Sequence, residues 1–349
     1  WRMDQPLRAK AVLLPTSSAE VSEMLAYCHA NNQPIVMHGG LTNLVGSTET
    51  GTQEVVLSLE KMNKIVEVDV QSRTVTVEAG ATLEDIHRAT DEQDLLFPLT
   101  FGAKGSAQIG GIVSTNAGGL RVFRFGMTRQ LVLGLEVVLA DGTILSSLKR
   151  IIKDNSGYDL KQLFIGAEGT LGVVTKAVLK LVEKPKSRES AFIAVADYDK
   201  VIRLLKFADQ WSAGTLSGFE LIWQNSYAAM TTSPAHNSPP LPQHYPYYVL
   251  LETLGSHPDR DREQLEKMLE TAFEQELITD AAIAYTESDL DWFWSIREHV
   301  EALKDQCRYD QHFDISIPIG DIETAIKEIV NQLLELPEVN QVFPFGHVA

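Results

Sequence analysis

The sequence predicts an α+β protein of two domains, and three observations support this prediction. The chain has 349 residues, which is more than a single hydrophobic core usually organises. Strand-like and helix-like patterns alternate through the first half, whereas the second half has strands separated by amphipathic helices and few glycines. A polar, proline-containing stretch, 184–188, lies between the two patterns. We therefore predict one domain at 1–183 and a second at 184–349.

The elements of the first half follow from local signals. Ser17 and Glu20 form a capping box that begins the first helix. Thr82 caps a second helix, and the Asp141-Gly142 pair predicts a hairpin. The predicted helices are 18–30 and 83–93, and the predicted strands are 34–37, 54–58, 64–69, 74–78, 131–140, 143–146 and 173–182.

The second half is predicted from the periodicity of its apolar residues. Residues 231–246 contain five prolines and are expected to form an exposed loop. Strands that alternate with amphipathic helices indicate helices packed on one side of a single antiparallel sheet. The predicted strands are 191–195, 216–223, 247–253, 281–286, 313–318 and 341–345, and the predicted helices are 200–211, 260–276, 291–304 and 322–336.

Charge and cysteine content argue against several classes of function. The net charge is −17, from 30 basic and 47 acidic side chains, which disfavours nucleic acid and anionic membranes as partners. Cys28 and Cys307 are far apart and no Cys-x-x-Cys pair occurs, so we expect two reduced thiols in a cytoplasmic protein. No apolar run is long enough to span a bilayer, and no signal peptide is visible. Because no Met precedes Trp1 and the chain stops abruptly at Ala349, we expect a segment cut at both ends.

The most informative feature of the sequence is a set of three glycine-rich segments in its first half. The first, second and third glycine segments are 39–46, 102–119 and 166–172, and the second holds six glycines in eighteen residues. Glycine is kept where the backbone takes a positive φ or lies close to another group. One such segment could be a tight turn, but three in one domain indicate backbone laid along a large, polar cofactor. None has the sequence of a P-loop or of a nicotinamide-binding Rossmann turn.

With two further phrases, 134–142 and 153–163, these segments resemble the FAD-binding domain of the vanillyl-alcohol oxidase/p-cresol methylhydroxylase flavoproteins. Within that group the sequence is most similar to the FAD-linked D-2-hydroxyacid dehydrogenases, the class of the D-2-hydroxyglutarate and D-lactate dehydrogenases. The likeness covers essentially the whole chain and is densest over 34–175. It implies a p-cresol methylhydroxylase-type FAD-binding domain followed by a substrate domain, or cap, with a ferredoxin-like antiparallel sheet.

The resemblance also implies how FAD is held. The first glycine segment would wrap the pyrophosphate, the second would follow the flavin and ribityl chain, and 168–174 would complete the adenine side. Some relatives attach the flavin to a His directly after the first Gly-Gly pair. Leu41 stands at that position, so we expect non-covalent FAD. The implied contacts are Gly39, Gly40, Leu41, Thr42, Asn43, Leu44, Val45, Gly46, Pro98, Leu99, Gly102, Ala103, Gly105, Ser106, Ile109, Gly110, Thr115, Asn116, Gly118, Glu168, Gly169, Gly172 and Val174.

The implied substrate contacts lie in the second half. Relatives hold the substrate carboxylate with the Arg of a Trp-x-x-Arg-Glu phrase, which Trp294 to Glu298 match, so Arg297 is the expected ligand. The hydroxyglutarate enzymes add a Thr and a Lys for the far carboxylate, and Glu301 and His312 stand at those positions. An acid at 301 would repel a second carboxylate, and His312 could replace the Lys only in part. The alternatives are a surface Arg and an ordinary His at a strand edge.

A metal site is implied at the end of the chain. Phe345 to Ala349 resemble the start of the family's Gly-His-x-x-Asp-Gly-Asn-x-His metal motif. His347 is therefore the implied ligand of a divalent ion, zinc or manganese, because neutral imidazole is a common ligand for such ions. The partner His, and the His that relatives use as general base, would lie beyond Ala349, and a lone His does not make a metal site.

The function implied by the resemblance is FAD-dependent oxidation of a D-2-hydroxy acid to the 2-oxo acid, by hydride transfer to flavin N5. The electron acceptor is unidentified, and a homodimer is left open. An FAD-dependent alcohol or sugar-lactone oxidase of the same fold is one alternative, which would need neither Arg297 nor a metal. A non-catalytic flavin-binding electron-transfer subunit and a nicotinamide-dependent reductase are the others.

Overall fold

The computed structural model describes residues 6–43, 45–235, 237–298, 303 and 310–348. The chain divides into two compact units. The first contains the residues up to Gly119 and Phe125–Lys184, and the second contains Leu120–Arg124 and the residues from Pro185 onward. The chain therefore enters the second unit briefly, returns to the first, and enters the second again at Pro185.

The first unit alternates strands with short helices, as the sequence predicts. One short helix, α4, extends from the second unit into the first. In chain order the elements are β1 (Ala11–Leu13), α1 (Ser18–Ala30), β2 (Ile35–His38), β3 (Val55–Ser58), β4 (Ile65–Asp69), β5 (Thr74–Glu78), α2 (Leu83–Asp91), β6 (Leu95–Leu96), α3 (Ile109–Ser114), α4 (Val122–Phe125), α5 (Thr128–Leu131), β7 (Val132–Val138), β8 (Ile144–Ser147), α6 (Lys161–Phe164), β9 (Val173–Lys180) and β10 (Val182–Glu183).

Two main sheets organise the described residues of the first unit. One is parallel with the strand order β1-β3-β2, and the other is antiparallel with the order β4-β5-β9-β7-β8. The predicted capping residues begin their helices, because the hydroxyls of Ser17 and Thr82 accept from the N–H groups of Glu20 and Asp85. Both sheets contribute to one buried apolar cluster, which places the glycine segments at the ends of well-packed elements.

The second unit is built around an antiparallel sheet with the strand order β14-β11-β13-β12-β15. Its elements are β11 (Ser187–Val195), α7 (Tyr198–Ser212), β12 (Leu216–Trp223), α8 (Gln224–Thr231), β13 (Tyr247–Gly255), α9 (Pro258–Glu274), β14 (Asp280–Ile283), α10 (Glu287–Glu298), a 3₁₀ turn (Ile319–Asp321), α11 (Ile322–Leu334) and β15 (Phe345–His347).

Helices cover both faces of this sheet, so the prediction of helices on one side was wrong. Ile193 and Val195 of β11 pack with residues of α7 and α9. The intervening Phe192 and Ala194 pack with residues of α8 and α10. The run Ala191–Val195 is apolar at every position, and such a run is typical of a strand that is buried on both faces.

Two predicted strands were wrong in the second unit. Residues 313–318 have no strand, and the side chains of Phe313 and Ile315 are 67% and 50% exposed. Their apolar alternation imitates a half-buried strand, but a strand also needs a partner to satisfy its backbone. The strand predicted at 341–345 begins only at Phe345. The helix predicted at 291–304 runs over Glu287–Glu298, and its predicted last part falls largely outside the described residues.

Cys28 is buried and its thiol is free, whereas Cys307 lies outside the described residues. None of the helices within the described ranges is long and apolar enough to cross a membrane.

Candidate functional site

The first two glycine segments touch each other through their backbones. A side-chain carbon added to Gly40 would lie 1.8 Å from the carbonyl oxygen of Ser106, so only glycine fits there. A side-chain carbon added to Gly39 would lie 3.8 Å from the side-chain oxygen of Gln108. The close approach brings the loop after β2 against the loop before α3.

The third glycine segment joins the second by main-chain hydrogen bonds. The N–H of Gly166 donates to the carbonyl of Val113 at 3.1 Å, and that of Glu168 donates to the carbonyl of Ser114 at 2.8 Å. Each of the three segments contains a non-glycine residue in the left-handed region, with φ of 56° at Leu41, 50° at Asn116 and 51° at Glu168. The structure thus gathers into one place the three segments that the sequence singles out.

This arrangement fits an extended cofactor that has hydrogen-bond donors along its length. Within the described residues, the side-chain oxygen of Gln108 is buried and has no hydrogen-bond partner. A buried acceptor without a partner costs free energy, which a ligand N–H or O–H group would offset. A side-chain carbon added to Gly111 would meet no atom within 4 Å, so the backbone here borders open space. FAD offers such donors on its ribityl chain, flavin and adenine.

A cavity of about 210 Å³ lies beside the third glycine segment. Gly169–Val173 and Met37 line it, together with Leu25 and Cys28 of α1. Most of the lining is apolar, which suits a planar heteroaromatic ring, and His29, Gln33 and Thr170 add polar groups. The residues that the sequence assigns to the adenine side therefore border a real cavity.

The remaining predicted FAD contacts fall into two groups. Pro98, Leu99, Ile109, Gly110 and Val174 are buried, so these residues build the scaffold of the first unit. Among the others, the Asn43 carboxamide caps its own loop by accepting from the N–H of Val45, and Leu44 lies outside the described residues. The more exposed members, which could face a ligand, are Thr42, Val45, Gly102, Ala103, Gly105, Ser106, Thr115 and Glu168.

In the second unit, the register of the sheet assembles a polar cluster. Edge strand β15 pairs with β12, which sets His347 directly opposite Glu220 and Phe345 directly opposite Ile222. Alternate residues of a strand share a face, so Glu220, His347 and Phe345 lie on the same face of the sheet. Helix α10 packs on that face and brings Arg297 to the cluster.

Glu220 is the centre of this cluster. Its carboxylate is fully buried, and its Oε2 accepts from Nε of Arg297 at 2.7 Å. Its Oε1 bonds with Nδ1 of His347. The guanidinium carbon of Arg297 lies 4.8 Å from the centre of the Phe345 ring, a cation–π contact.

The cluster keeps its carboxylate charged. Burial alone would raise the pKa of the Glu220 carboxyl, but the charge of Arg297 and the hydrogen bonds from His347 and Arg297 outweigh it. The pKa of Glu220 is therefore held below its usual range. Arg297, predicted as a carboxylate ligand, is itself 8% exposed, which is unusual for an arginine on a helix and contradicts the alternative of a surface residue.

His312 and His347 differ in their surroundings. His312 lies in the irregular segment 310–318, where its Nε2 is 2.6 Å from Oδ2 of Asp310. The predicted neighbour Glu301 lies outside the described residues. Within the part of the chain that the structure describes, no group of three or more His, Cys, Asp or Glu side chains is placed to hold a metal ion. His347 and Glu220 alone do not complete the predicted metal site.

A second buried carboxylate, that of Glu252 on β13, forms ion pairs with two arginines. Arg121 Nε donates to it at 2.9 Å and Arg188 Nε at 2.6 Å, and Arg188 also stacks on Trp294. Burial would raise the pKa of Glu252, but Arg121 and Arg188 lower it to about 2. Ser217 adds a hydrogen bond to the same carboxylate at 2.8 Å.

Sequence reasoning missed Glu220, Glu252 and Phe345. A signal was present for Glu220, because a single carboxylate inside the apolar run 219–222 is either exposed or paired in the interior. The partner could not be read from the sequence, since Arg297 and His347 are 77 and 127 residues away along the chain.

Comparison with known proteins identifies the class first. The chain matches the FAD binding domain family over residues 9–147 and the C-terminal domain of FAD linked oxidases over residues 184–349. It superposes on a 4-ethylphenol oxidase from Gulosibacter chungangensis with a TM-score of 0.72 and 18% identity, over 92% of this chain and 69% of that one. An alkyldihydroxyacetonephosphate synthase gives a TM-score of 0.72 and 17% identity, over 93% and 61% of the two chains. The fold is that of the vanillyl-alcohol oxidase/p-cresol methylhydroxylase flavoproteins.

Sequence relatives then define the family. The chain is 38% identical to a mitochondrial D-2-hydroxyglutarate dehydrogenase of Arabidopsis thaliana, over 100% of this chain and 62% of the relative. It is 35% identical to a D-2-hydroxyglutarate–pyruvate transhydrogenase of Saccharomyces cerevisiae, over 95% and 67%. The chain belongs to the FAD-linked D-2-hydroxyacid dehydrogenase family of flavoproteins. It spans about three-fifths of the length of the first curated relatives that it matches.

Proposed function

We propose that this chain binds FAD and a D-2-hydroxy acid, and that it takes part in catalysing the oxidation of that acid to the 2-oxo acid. One observation carries the proposal: a nearly buried arginine, Arg297, is held through its Nε by a buried carboxylate. The two terminal nitrogens of a guanidinium match the two oxygens of a carboxylate. The family relationship supports the same activity.

The roles of the residues follow from this geometry. When bound, FAD would supply the acceptor for the hydride that leaves the α-carbon of the substrate. The three glycine segments and Gln108 would hold FAD without a covalent bond, because Leu41 cannot form one. Arg297 would bind the substrate carboxylate, which fixes the orientation of the α-carbon. No residue of the described chain is assigned as general base.

A hydroxy-acid titration tests the proposal. The purified protein with FAD should be bleached under anaerobic conditions by D-lactate, D-2-hydroxyglutarate or D-malate, as followed by the flavin absorbance. Arg297→Met should raise the concentration needed for half-bleaching by at least about tenfold, because the carboxylate loses its charged partner. Arg203→Met is the matched control, since Arg203 is an exposed arginine on α7 of the same unit.

The same titration separates the alternatives. Bleaching by an alcohol or a sugar lactone, unaffected by Arg297→Met, would favour an oxidase of that class. Bound FAD that no hydroxy acid reduces would favour a non-catalytic flavin subunit, and bleaching by NADPH would favour a reductase. The electron acceptor, a homodimer and a cytoplasmic location also remain predictions, and the relatives cited above include one named as mitochondrial.

A divalent metal at His347, zinc or manganese, is a finer part of the proposal. Its support is that Glu220 engages Nδ1 of His347, and metal-ligating histidines commonly donate their other ring N–H to a carboxylate. The described residues supply too few ligands, so no chemical step is assigned to the ion. Metal content that is equal in the parent protein and in His347→Ala would contradict it.

A further inference from the structure

We propose that Glu220 is a positioning residue that sets the geometry of Arg297 for a substrate carboxylate and fixes the ring orientation of His347, an inference that rests on the proposed function. Glu220 itself would not touch the substrate. It would act through the two side chains that it holds.

The position of Glu220 in the sheet supports this role. Strand β12 lies inside the sheet, between β13 and β15, and Glu220 is fully buried there. Its two oxygens are engaged by different elements, Oε2 by Arg297 of α10 and Oε1 by His347 of β15. One carboxylate therefore sets the position of one side chain relative to the other.

The orientation of Arg297 follows from its two contacts. An arginine side chain has several rotatable bonds, and ordering them on ligand binding costs affinity. Here Nε is held by Glu220 and the guanidinium carbon lies over the Phe345 ring. The side chain is ordered before substrate arrives. Its two terminal nitrogens, Nη1 and Nη2, would then donate to the two oxygens of the substrate carboxylate.

The orientation of His347 follows in the same way. The two nitrogens of an imidazole point to different sides of the ring, so a bond from Nδ1 to Glu220 directs Nε2 away from that carboxylate. The proton must then reside on Nδ1, because a carboxylate oxygen accepts and does not donate. Glu220 thus determines which nitrogen of His347 is available to other groups.

An apolar residue would have met the packing requirement of this position at lower cost. A buried ion pair is often replaceable by apolar side chains without loss of stability, so a fully buried carboxylate in an otherwise apolar run invites a functional explanation. A glutamine would keep the volume but not the charge or the tautomer of His347. Its oxygen can accept from Arg297 Nε, but its NH₂ group would donate to Nδ1 of His347 and so place the imidazole proton on Nε2.

The experiment compares ligand affinity in the FAD-containing protein. Dissociation constants for pyruvate and 2-oxoglutarate are measured by perturbation of the flavin spectrum in the parent protein, Glu220→Gln and Arg297→Met. Glu220→Gln should weaken binding of both 2-oxo acids by about tenfold or more, as loss of a supporting partner does elsewhere. Glu220→Asp, which keeps the charge but is one methylene shorter, should lie between the parent protein and Glu220→Gln.

Glu189→Gln is the matched control. Glu189 is a buried glutamate of the same sheet, paired with Arg262 of a helix, and it lies outside the cluster. It should lose stability to urea as Glu220→Gln does, yet keep both dissociation constants within about twofold. An equal loss of affinity in Glu189→Gln would show that Glu220 acts only through stability and would overturn the inference.

Two outcomes separate this inference from the proposed function. If Arg297→Met binds 2-oxo acids as the parent protein does, the proposed function and the inference both fail. If Arg297→Met loses binding but Glu220→Gln retains it, the inference alone fails. If the variants do not fold, an NMR measurement on the parent protein still tests the inference. In ¹⁵N-histidine NMR, a resonance assigned to His347 must report a protonated Nδ1, and an unprotonated Nδ1 would refute the inference.

Discussion

At the scale of single residues, Gly40 and Gly111 illustrate two different uses of a missing side chain. At Gly40 the space is already filled by the backbone of Ser106, so glycine is required by the protein itself. At Gly111 no atom lies within 4 Å of the position that a side-chain carbon would take. Packing within the chain does not explain this second glycine, whereas a ligand lying against α3 does.

Gly111→Ala should therefore separate stability from FAD binding. Gly111 lies inside helix α3, where alanine is favoured over glycine by up to about 1 kcal/mol, so the apoprotein should become slightly more stable. The added methyl group would occupy ligand space and should weaken FAD binding by about tenfold. Urea unfolding of the apoprotein and FAD titration measure the two effects. Gly320→Ala, also in open space but in the second unit, should leave FAD affinity unchanged.

Glu252 makes stability depend on pH. Its pKa of about 2 in the folded protein lies below the value of about 4.3 in an unfolded chain. Its stabilising contribution, roughly 2–3 kcal/mol, is therefore complete above about pH 5, where the unfolded carboxyl is also ionised, and is lost as the pH falls to about 2. Glu252→Gln should be less stable at pH 7 but should lose less stability between pH 5 and pH 3, as measured by urea unfolding.

The control for this prediction is Glu263→Gln. Glu263 forms an exposed pair with Lys267 on α9 and should leave the pH profile close to that of the parent protein. Parallel pH profiles for Glu252→Gln and the parent protein would mean that the two arginines do not lower the pKa of Glu252 in solution.

At the scale of elements, the first turn of α2 holds the second glycine segment. The N–H groups of Leu83 and Glu84, which have no partner inside their own helix, donate to the carbonyls of Ala107 and Lys104 at 3.0 and 3.1 Å. Thr82 caps the same turn. A helix end and a glycine-rich loop thus satisfy each other's backbone groups.

Thr82→Ala should affect both the helix and the cofactor. Loss of an N-cap costs about 1 kcal/mol, which urea unfolding of the apoprotein would detect. Because the same turn supports residues 104–107, FAD affinity should also fall. Ser17→Ala removes the corresponding cap of α1 and should lower stability by a similar amount with unchanged FAD affinity. Equal FAD affinities in both variants would show that the α2 turn does not hold the cofactor loop.

The sequence was sufficient for elements with strong local signals. The strands 74–78 and 216–223 were predicted with their observed bounds, and both predicted helix caps were confirmed. The strand at 313–318 was wrong because alternation reports only the exposure of side chains, whereas a strand also needs a partner. Arg297 was predicted as a substrate ligand from a local phrase, and that role stays a prediction. Its bond to Glu220 depends on how α10 packs on β12, and the bond from Glu220 to His347 depends on the β12–β15 register, neither of which a local pattern contains.

At the scale of the whole molecule, the two units have separate cores. The tryptophan side chains, whose fluorescence reports unfolding, are distributed unevenly between the units. Four of the five tryptophans, Trp211, Trp223, Trp292 and Trp294, belong to the second unit. Tryptophan fluorescence therefore reports mainly on the second unit, whereas the glycine segments belong to the first.

FAD should accordingly raise the stability of the first unit. At a free concentration of about 100 times its dissociation constant, a ligand stabilises the state that binds it by about 2.7 kcal/mol. The circular dichroism transition should shift to higher temperature when FAD is added, and by more than the fluorescence transition does. Adenosine alone serves as the control and should shift neither transition by a comparable amount. Identical shifts in both probes would mean that the units unfold together.

The early excursion of Leu120–Arg124 into the second unit has a consequence for how the protein is made. Arg121 leaves the ribosome 131 residues before Glu252, the carboxylate that it binds. The second unit cannot be completed from its own later stretch of chain alone, and no single cut yields two intact halves. A newborn chain must keep this pentapeptide accessible until β13 has been synthesised, because the carboxylate that binds Arg121 lies on that strand.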